Sequence, residues 1–300
     1  MNRPHLFVLV AAVSLACLPG CGPAKLKNDA SKASGKDDIR KATATAGEQE
    51  PPLAWAEWLE VGDDGRARLE DQNATYTGRV MDYYEQDGAE GLIETSFKDG
   101  LREGQSRWWH WNGNPAGTMT YRKGLAQGAE TWWFPNGQKM RVLHHVDGEL
   151  DGPASGWYDD GQPEFSAIWK EGQPEGKFTE WHANGKTMTL RHYVDGERDG
   201  LETHWYKTGQ KAWEMTWRAG KKEGMRTEWY EGGKTTSETP FKGDVRHGVA
   251  RGWYQNGTKS FEITWEKGAE VRHLEWNKDG TQMDLTEDGW NPDGTPRKTN

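Results

Sequence analysis

The side chains with the most evident capacity for chemistry are tryptophans. Trp109, Trp133, Trp157, Trp181, Trp205, Trp229 and Trp253 recur every 24 residues. Evenly spaced indole faces can stack on sugars or hold apolar side chains of a partner. The competing reading is that each ring packs on its neighbour as internal glue. Cys21 closes the run Leu18-Pro19-Gly20-Cys21, which is lipobox-like and would direct thioether lipidation of that cysteine after cleavage before it. An ordinary secretory signal cut nearby is the alternative, with Cys17 as a second candidate lipid site. Histidines offer no metal centre. His144 and His192 sit two repeats apart, so about 19 Å of sheet would separate them, and His182 and His204 are two strands apart. Asp147-Gly-Glu-Leu-Asp-Gly152 and Asp195-Gly-Glu-Arg-Asp-Gly200 resemble the first half of a calcium loop. Tyr158 and Tyr206 stand where the closing glutamate belongs, so a solvated acidic turn fits better. No phosphate-cradling loop, nucleophile elbow, Cys-His metal spacing or dinucleotide fingerprint occurs. The expectation is a protein that is not an enzyme, with no catalytic residues, no cofactor and no metal.

The elements that would position the stripe follow from the glycines. Gly104, Gly128, Gly152, Gly176, Gly200, Gly224 and Gly248 keep the same 24-residue phase, each five residues before its tryptophan. A fixed period of this length marks a stacked repeat architecture. The first run of each unit ends on a second glycine, preceded by asparagine at 112–113, 136–137, 184–185 and 256–257. Asn-Gly between such runs predicts a two-residue type I′ hairpin turn. The second run alternates, as in Trp213-Glu-Met215-Thr-Trp217, which is the period of a strand. With two-residue turns, Trp205 would pair with Ala212 and share its face. Tyr206 would lie on the other face with Trp213, Met215 and Trp217. The fold class expected is all-β: an elongated antiparallel meander of about eight 24-residue β-hairpin repeats in a single twisted sheet. A longer period overlies this one, because residues 140–152 resemble residues 188–200 more than they resemble the unit between.

The Trp-Tyr-x-Asn-Gly turns, the closing Gly-x-x-Glu-Gly and Tyr76-Thr77-Gly78 resemble the MORN-repeat variant of bacterial secreted and lipid-anchored proteins, often labelled YwqK-type antitoxins. The resemblance covers roughly residues 76–284. It implies a repeated β-hairpin fold and scaffolding in association with proteins or membranes, and it brings no catalytic residues. Two departures mark the ends as atypical units: Gly78 and Gly104 are 26 residues apart, and Val271 replaces the glycine expected before Trp276.

Outside the repeats, residues 1–20 read as a lipoprotein signal peptide and residues 21–52 as a flexible tether. Residues 53–76 read as an N-terminal capping hairpin, residues 77–284 as the repeats, and residues 285–300 as a loose polar tail. Six basic against three acidic residues over 22–41 fit a soluble spacer better than a lipid-binding polybasic run. Hydrophobic content of 33% is low for a conventional core, so the 18 tryptophans must supply much of the buried area. A net charge of −9 disfavours nucleic acid as a partner. The expected role is a lipid-anchored exported scaffold for protein–protein interaction at the cell envelope, on a bacterial outer membrane or cell surface. The alternative is a glycan- or peptidoglycan-binding module using the tryptophan stripe. No sequence feature names the protein partner.

Overall fold

A computed structural model describes residues 53–56, 59–69, 74–86, 89–286 and 288–297. The signal peptide, Cys21 and the tether lie outside the described residues. The regular elements among those described are all strands, as the alternating pattern predicts. They fall into two compact units. One holds the residues up to Gln138 together with His145–Gly148, and the other holds Lys139–His144 and the residues from Glu149 onward.

In the first unit, strands from Gly78–Gln86 to Leu125–Trp133 run as an antiparallel meander. Leu53–Trp55 adds to its first strand in parallel, with Leu53 opposite Arg79. Leu59–Val61 and Ala67–Leu69 form a separate two-stranded hairpin. Ala54, Leu59, Ala67, Tyr76 and Val80 bury one another beneath it. The sequence suggests a covering hairpin here, and the parallel strand is an addition it does not announce. Leu53–Trp55 covers Arg79, Val80 and Met81 and so shortens the edge open to a second chain.

The second unit has its own antiparallel meander, from Gly152–Trp157 to Ala269–Glu275. The chain beyond it is tied down, contrary to the loose tail expected. Trp290-Asn-Pro-Asp-Gly-Thr295 copies the turn Trp276-Asn-Lys-Asp-Gly-Thr281. In both copies the asparagine N–H donates to the threonine carbonyl, at 2.8 and 2.7 Å. The second copy docks on the last strand: His273 N–H donates to Gly294 O (2.8 Å) and Arg272 Nε to Asp293 O (2.8 Å).

The two turns of each repeat exchange the roles expected of them. The loop after each tryptophan has three residues: Tyr206 N–H donates to Gln210 O and Gly209 N–H to Tyr206 O, both at 2.8 Å. Gly209 alone takes positive φ (89°), which is a type I turn with a left-handed third residue. The extra residue makes Trp205 pair with Lys211 rather than Ala212, and a bulge between His204 and Trp205 absorbs it, so His204 faces Trp213 just as a two-residue turn would have it. Asparagine is present for its side chain instead. Asn184 Oδ1 accepts from Lys186 N–H (3.1 Å), and its Nδ2 donates to Lys207 O in the next repeat (2.8 Å). The two-residue type I′ turns lie between repeats. There Asp99, Lys123, Asp147, Glu171, Asp195, Ala219 and Lys267 take φ between 45° and 51° ahead of a glycine.

The anchor glycines sit at bulges, with φ between 65° and 117°. The 48-residue period is structural at these points. In alternate repeats the N–H before the anchor glycine donates to a carbonyl across the bulge: Asp151 to His144, Asp199 to His192 and His247 to Pro240. An added Cβ on Gly152, Gly200 or Gly248 would meet those same three side chains, whereas Gly176 and Gly224 face open space.

Candidate binding faces

Register divides the second unit's sheet into two unlike faces. On one lie Glu202 and His204 with their cross-strand partners Met215 and Trp213, and Phe178 and Glu180 with Arg191 and Thr189. Most of the buried side chains lie on this face, where Met215 and Thr189 are each 1% exposed and Glu202 is 2% exposed; Thr179 and Thr203 are buried on the other. The other face carries Leu201, Thr203 and Trp205, and their equivalents in each repeat.

The buried face is held by a charge network. Glu202 accepts from His204 Nε2 (2.8 Å), Arg191 Nε (3.0 Å) and Arg198 Nη1 (3.2 Å), and Arg191 Nη1 also reaches Glu180 Oε2 at 3.1 Å. Rings complete it: His204 stacks on Trp213 with centroids 3.8 Å apart, while Arg226 lies 5.0 Å above Trp213 and Arg198 4.8 Å above Trp217. Burial would raise the Glu202 carboxyl, but bonds from His204 and Arg191 and the Arg198 charge outweigh it and hold its pKa below the ordinary glutamate value. Among the described residues no such donor reaches Glu164. Burial, and then the Glu180 charge, push it up.

The seven sequence-predicted tryptophans stand at strand ends beside the three-residue loops, Trp109 and Trp133 in the first unit and the other five in the second. All seven are half-buried. In six of the seven units the ring after the tryptophan ties its row to the next, Phe134 being the exception. His110 Nε2 donates to Trp133 O (2.9 Å), Tyr158 Oη to Trp181 O (2.6 Å), His182 Nε2 to Trp205 O (2.9 Å), Tyr206 Oη to Trp229 O (2.7 Å) and Tyr230 Oη to Trp253 O (2.9 Å). These bonds use the hydroxyl or Nε2 of each such ring, so His182 Nε2 is held as a donor. Among the described residues no group of three His, Cys, Asp or Glu could hold a metal ion.

Sequence reasoning missed what the acidic turns do. The residue before an anchor glycine accepts the N–H of the left-handed turn residue twenty positions on. Glu103 accepts from Lys123 (2.7 Å), Glu175 from Asp195 (3.0 Å), Asp199 from Ala219 (3.0 Å) and Glu223 from Gly243 (3.0 Å). The signal was present: Asp or Glu stands there in five of the seven units. It was also missed that the tryptophan face has an open trough, of about 580 Å³, against Trp205. Gly185, Lys186, Thr187, Thr208 and Gly209 line the rest of it.

Residues 174–195, which form one hairpin of the second unit, match the family described as MORN repeat variant. The chain carries a MORN repeat. Its neighbouring repeats share the same turns, bulge and ring-to-carbonyl bond. No curated protein matches the chain. Among solved structures, it is similar over 40% of its length to a crystal structure of an S. aureus TarM mutant in complex with Fondaparinux, alpha-GlcNAc-glycerol and UDP. That match has 11% identity and a TM-score of 0.23, and it spans 21% of the other chain, so it supports no inference about this one.

Proposed function

We propose that this protein is an exported, lipid-anchored repeat scaffold that presents the tryptophan face of its sheet to other proteins at the cell envelope. MORN repeats are in general motifs of protein or membrane interaction. The observation that carries the reading is the set of large apolar side chains left in water on that face. Ile168 is 52% exposed, Leu201 46% and Met225 42%, across from Pro153, Thr216 and Pro240 on a face that also carries His192, Glu214 and Glu238. Exposed apolar side chains grouped on one rigid face are the usual anchors of protein recognition. A binding role rather than catalysis is supported by the fate of the titratable groups. Glu202, Arg191 and His204 are spent on one another, and the acids before the anchor glycines are spent on turns. The anchor rests on Cys21 and the lipobox-like run before it.

Two measurements test this. Proximity labelling in the native cell, with wild type against Ile168→Asp/Leu201→Asp/Met225→Asp, should show a defined set of neighbours that the triple variant loses while still folding. An unchanged set removes the face from the proposal. Labelled palmitate should enter the wild type and not Cys21→Ser, and equal incorporation removes the anchor.

A further inference from the structure

The rings of the stripe differ in what lies over them. Lys211 Nζ stands 5.6 Å from the Trp229 centroid, and Lys259 Nζ 4.9 Å from that of Trp276, the ring that continues the row. Each lysine is the cross-strand partner of the tryptophan one repeat earlier, Trp205 and Trp253. Each is steadied by an ion pair three residues on, to Glu214 (2.6 Å) and Glu262 (3.0 Å). In the repeats between, the partner position is threonine: Thr187 opposite Trp181 and Thr235 opposite Trp229. Among the described residues no cation lies over Trp109, Trp133, Trp157, Trp181, Trp205 or Trp253, and the Gly-Lys-Thr run one loop earlier sets Trp205 and Trp253 apart from the others. The open trough lies at Trp205.

The constellation repeats. Gly185-Lys186-Thr187 before Trp205 recurs as Gly233-Lys234-Thr235 before Trp253, 48 residues on. In both, the lysine reaches into the next loop: Lys186 Nζ donates to Thr208 O (2.5 Å) and Lys234 Nζ to Gln255 O (3.0 Å). Each place thus brings together an indole with no cation over it, a threonine, an ammonium and loop carbonyls, and at Trp205 these line a trough rather than a closed pocket. A pyranose ring suits such walls, since it has a C–H face for the indole and a rim of hydroxyls for the polar groups. An apolar anchor would cover those polar groups without satisfying them, at a cost.

We propose that Trp205 and Trp253 are paired carbohydrate-binding subsites, each stacking one sugar ring on its indole. Four strand spacings put them about 19 Å apart. A single oligosaccharide spanning both gains from the high effective concentration of its second contact. The proposal is independent of any protein partner and goes beyond the scaffold role.

The test measures binding of chitohexaose, cellohexaose, mannohexaose and lysozyme-released peptidoglycan fragments to the full chain, by tryptophan fluorescence and by retention in affinity gels. At least one of these should bind wild type. Thr187→Lys/Thr235→Lys, which places over both rings the cover that Lys211 gives Trp229, should weaken that binding by about tenfold or more, the equivalent of about 1.4 kcal/mol. Lys211→Thr uncovers Trp229 and should add a site or tighten binding, and it decides the matter if the covering variant fails to fold. Absence of binding across the panel overturns the proposal. So does equal binding by wild type and a folded covering variant, or an unchanged Lys211→Thr.

Discussion

Glu202→Gln perturbs the buried face at its centre with little change of volume. The carboxylate, 2% exposed, accepts from two arginines and a histidine, so its charge faces up to three donors with no water to replace it. Removing one partner of a buried pair costs about 3–5 kcal/mol. Here the amide keeps one acceptor, Arg191 keeps Glu180 (3.1 Å), and Arg198 is 40% exposed and can turn to solvent. Those three reductions bring the expected loss down to about 2–3 kcal/mol, the range for a hydrogen bond to a charged group. The pH dependence has a definite sign. The Glu202 pKa is lower folded than unfolded, so its contribution is present above the unfolded value, near 4.5, and is lost as pH falls through the folded value. Urea unfolding followed by tryptophan fluorescence, at pH 7 and at steps below pH 5, measures both effects. Wild type should lose stability on acidification more steeply than the variant, and the two curves should converge. Glu202→Leu/Arg191→Met, which removes charge from both sides, should recover part of the loss. A Glu202→Gln variant within about 0.5 kcal/mol of wild type, the ordinary spread of a surface change, would refute this account of the network.

Gly156→Ala and Gly252→Ala would each set a Cβ against the ring of the cross-strand phenylalanine, Phe165 or Phe261. Each should destabilise by about 1–3 kcal/mol through overpacking, read from the urea midpoint. Ala219→Asn should stabilise by a few tenths to about 1 kcal/mol, because alanine is held at φ 45° where asparagine is far more at ease, and thermal unfolding reads it. Deleting residues 284–300 removes the contacts of Asp293 and Gly294 with Arg272 and His273 and bares the edge of Ala269–Glu275. Static light scattering should then show self-association that the full chain lacks. Tyr206→Phe removes the bond to Trp229 O at 2.7 Å and should cost about 1 kcal/mol in the same urea assay.

The amino-acid sequence by itself determined the all-β class, the 24-residue phase and the positions of both turns in each repeat. Glycine at a fixed spacing permits the positive φ that each turn needs, and strand alternation requires no distant partner. It also placed Trp205 and Trp213 on opposite faces, since that depends on their separation and on parity. Three things were decided only by the tertiary structure. Loop length after the tryptophan sets the partner of Trp205 and the bulge beside it, and Asn-Gly serves equally a two-residue turn on backbone angles and a three-residue turn on side-chain bonds; the bond from Asn184 to Lys207 in the next repeat favours the second. The convergence of Glu180, Arg191, Arg198 and Glu202 is invisible in a linear reading, because each residue alone looks like an ordinary exposed charge on an alternating strand. Which indoles are covered depends on a lysine one repeat away leaning across the strand, so seven tryptophans identical in phase become chemically unlike only once the rows lie side by side.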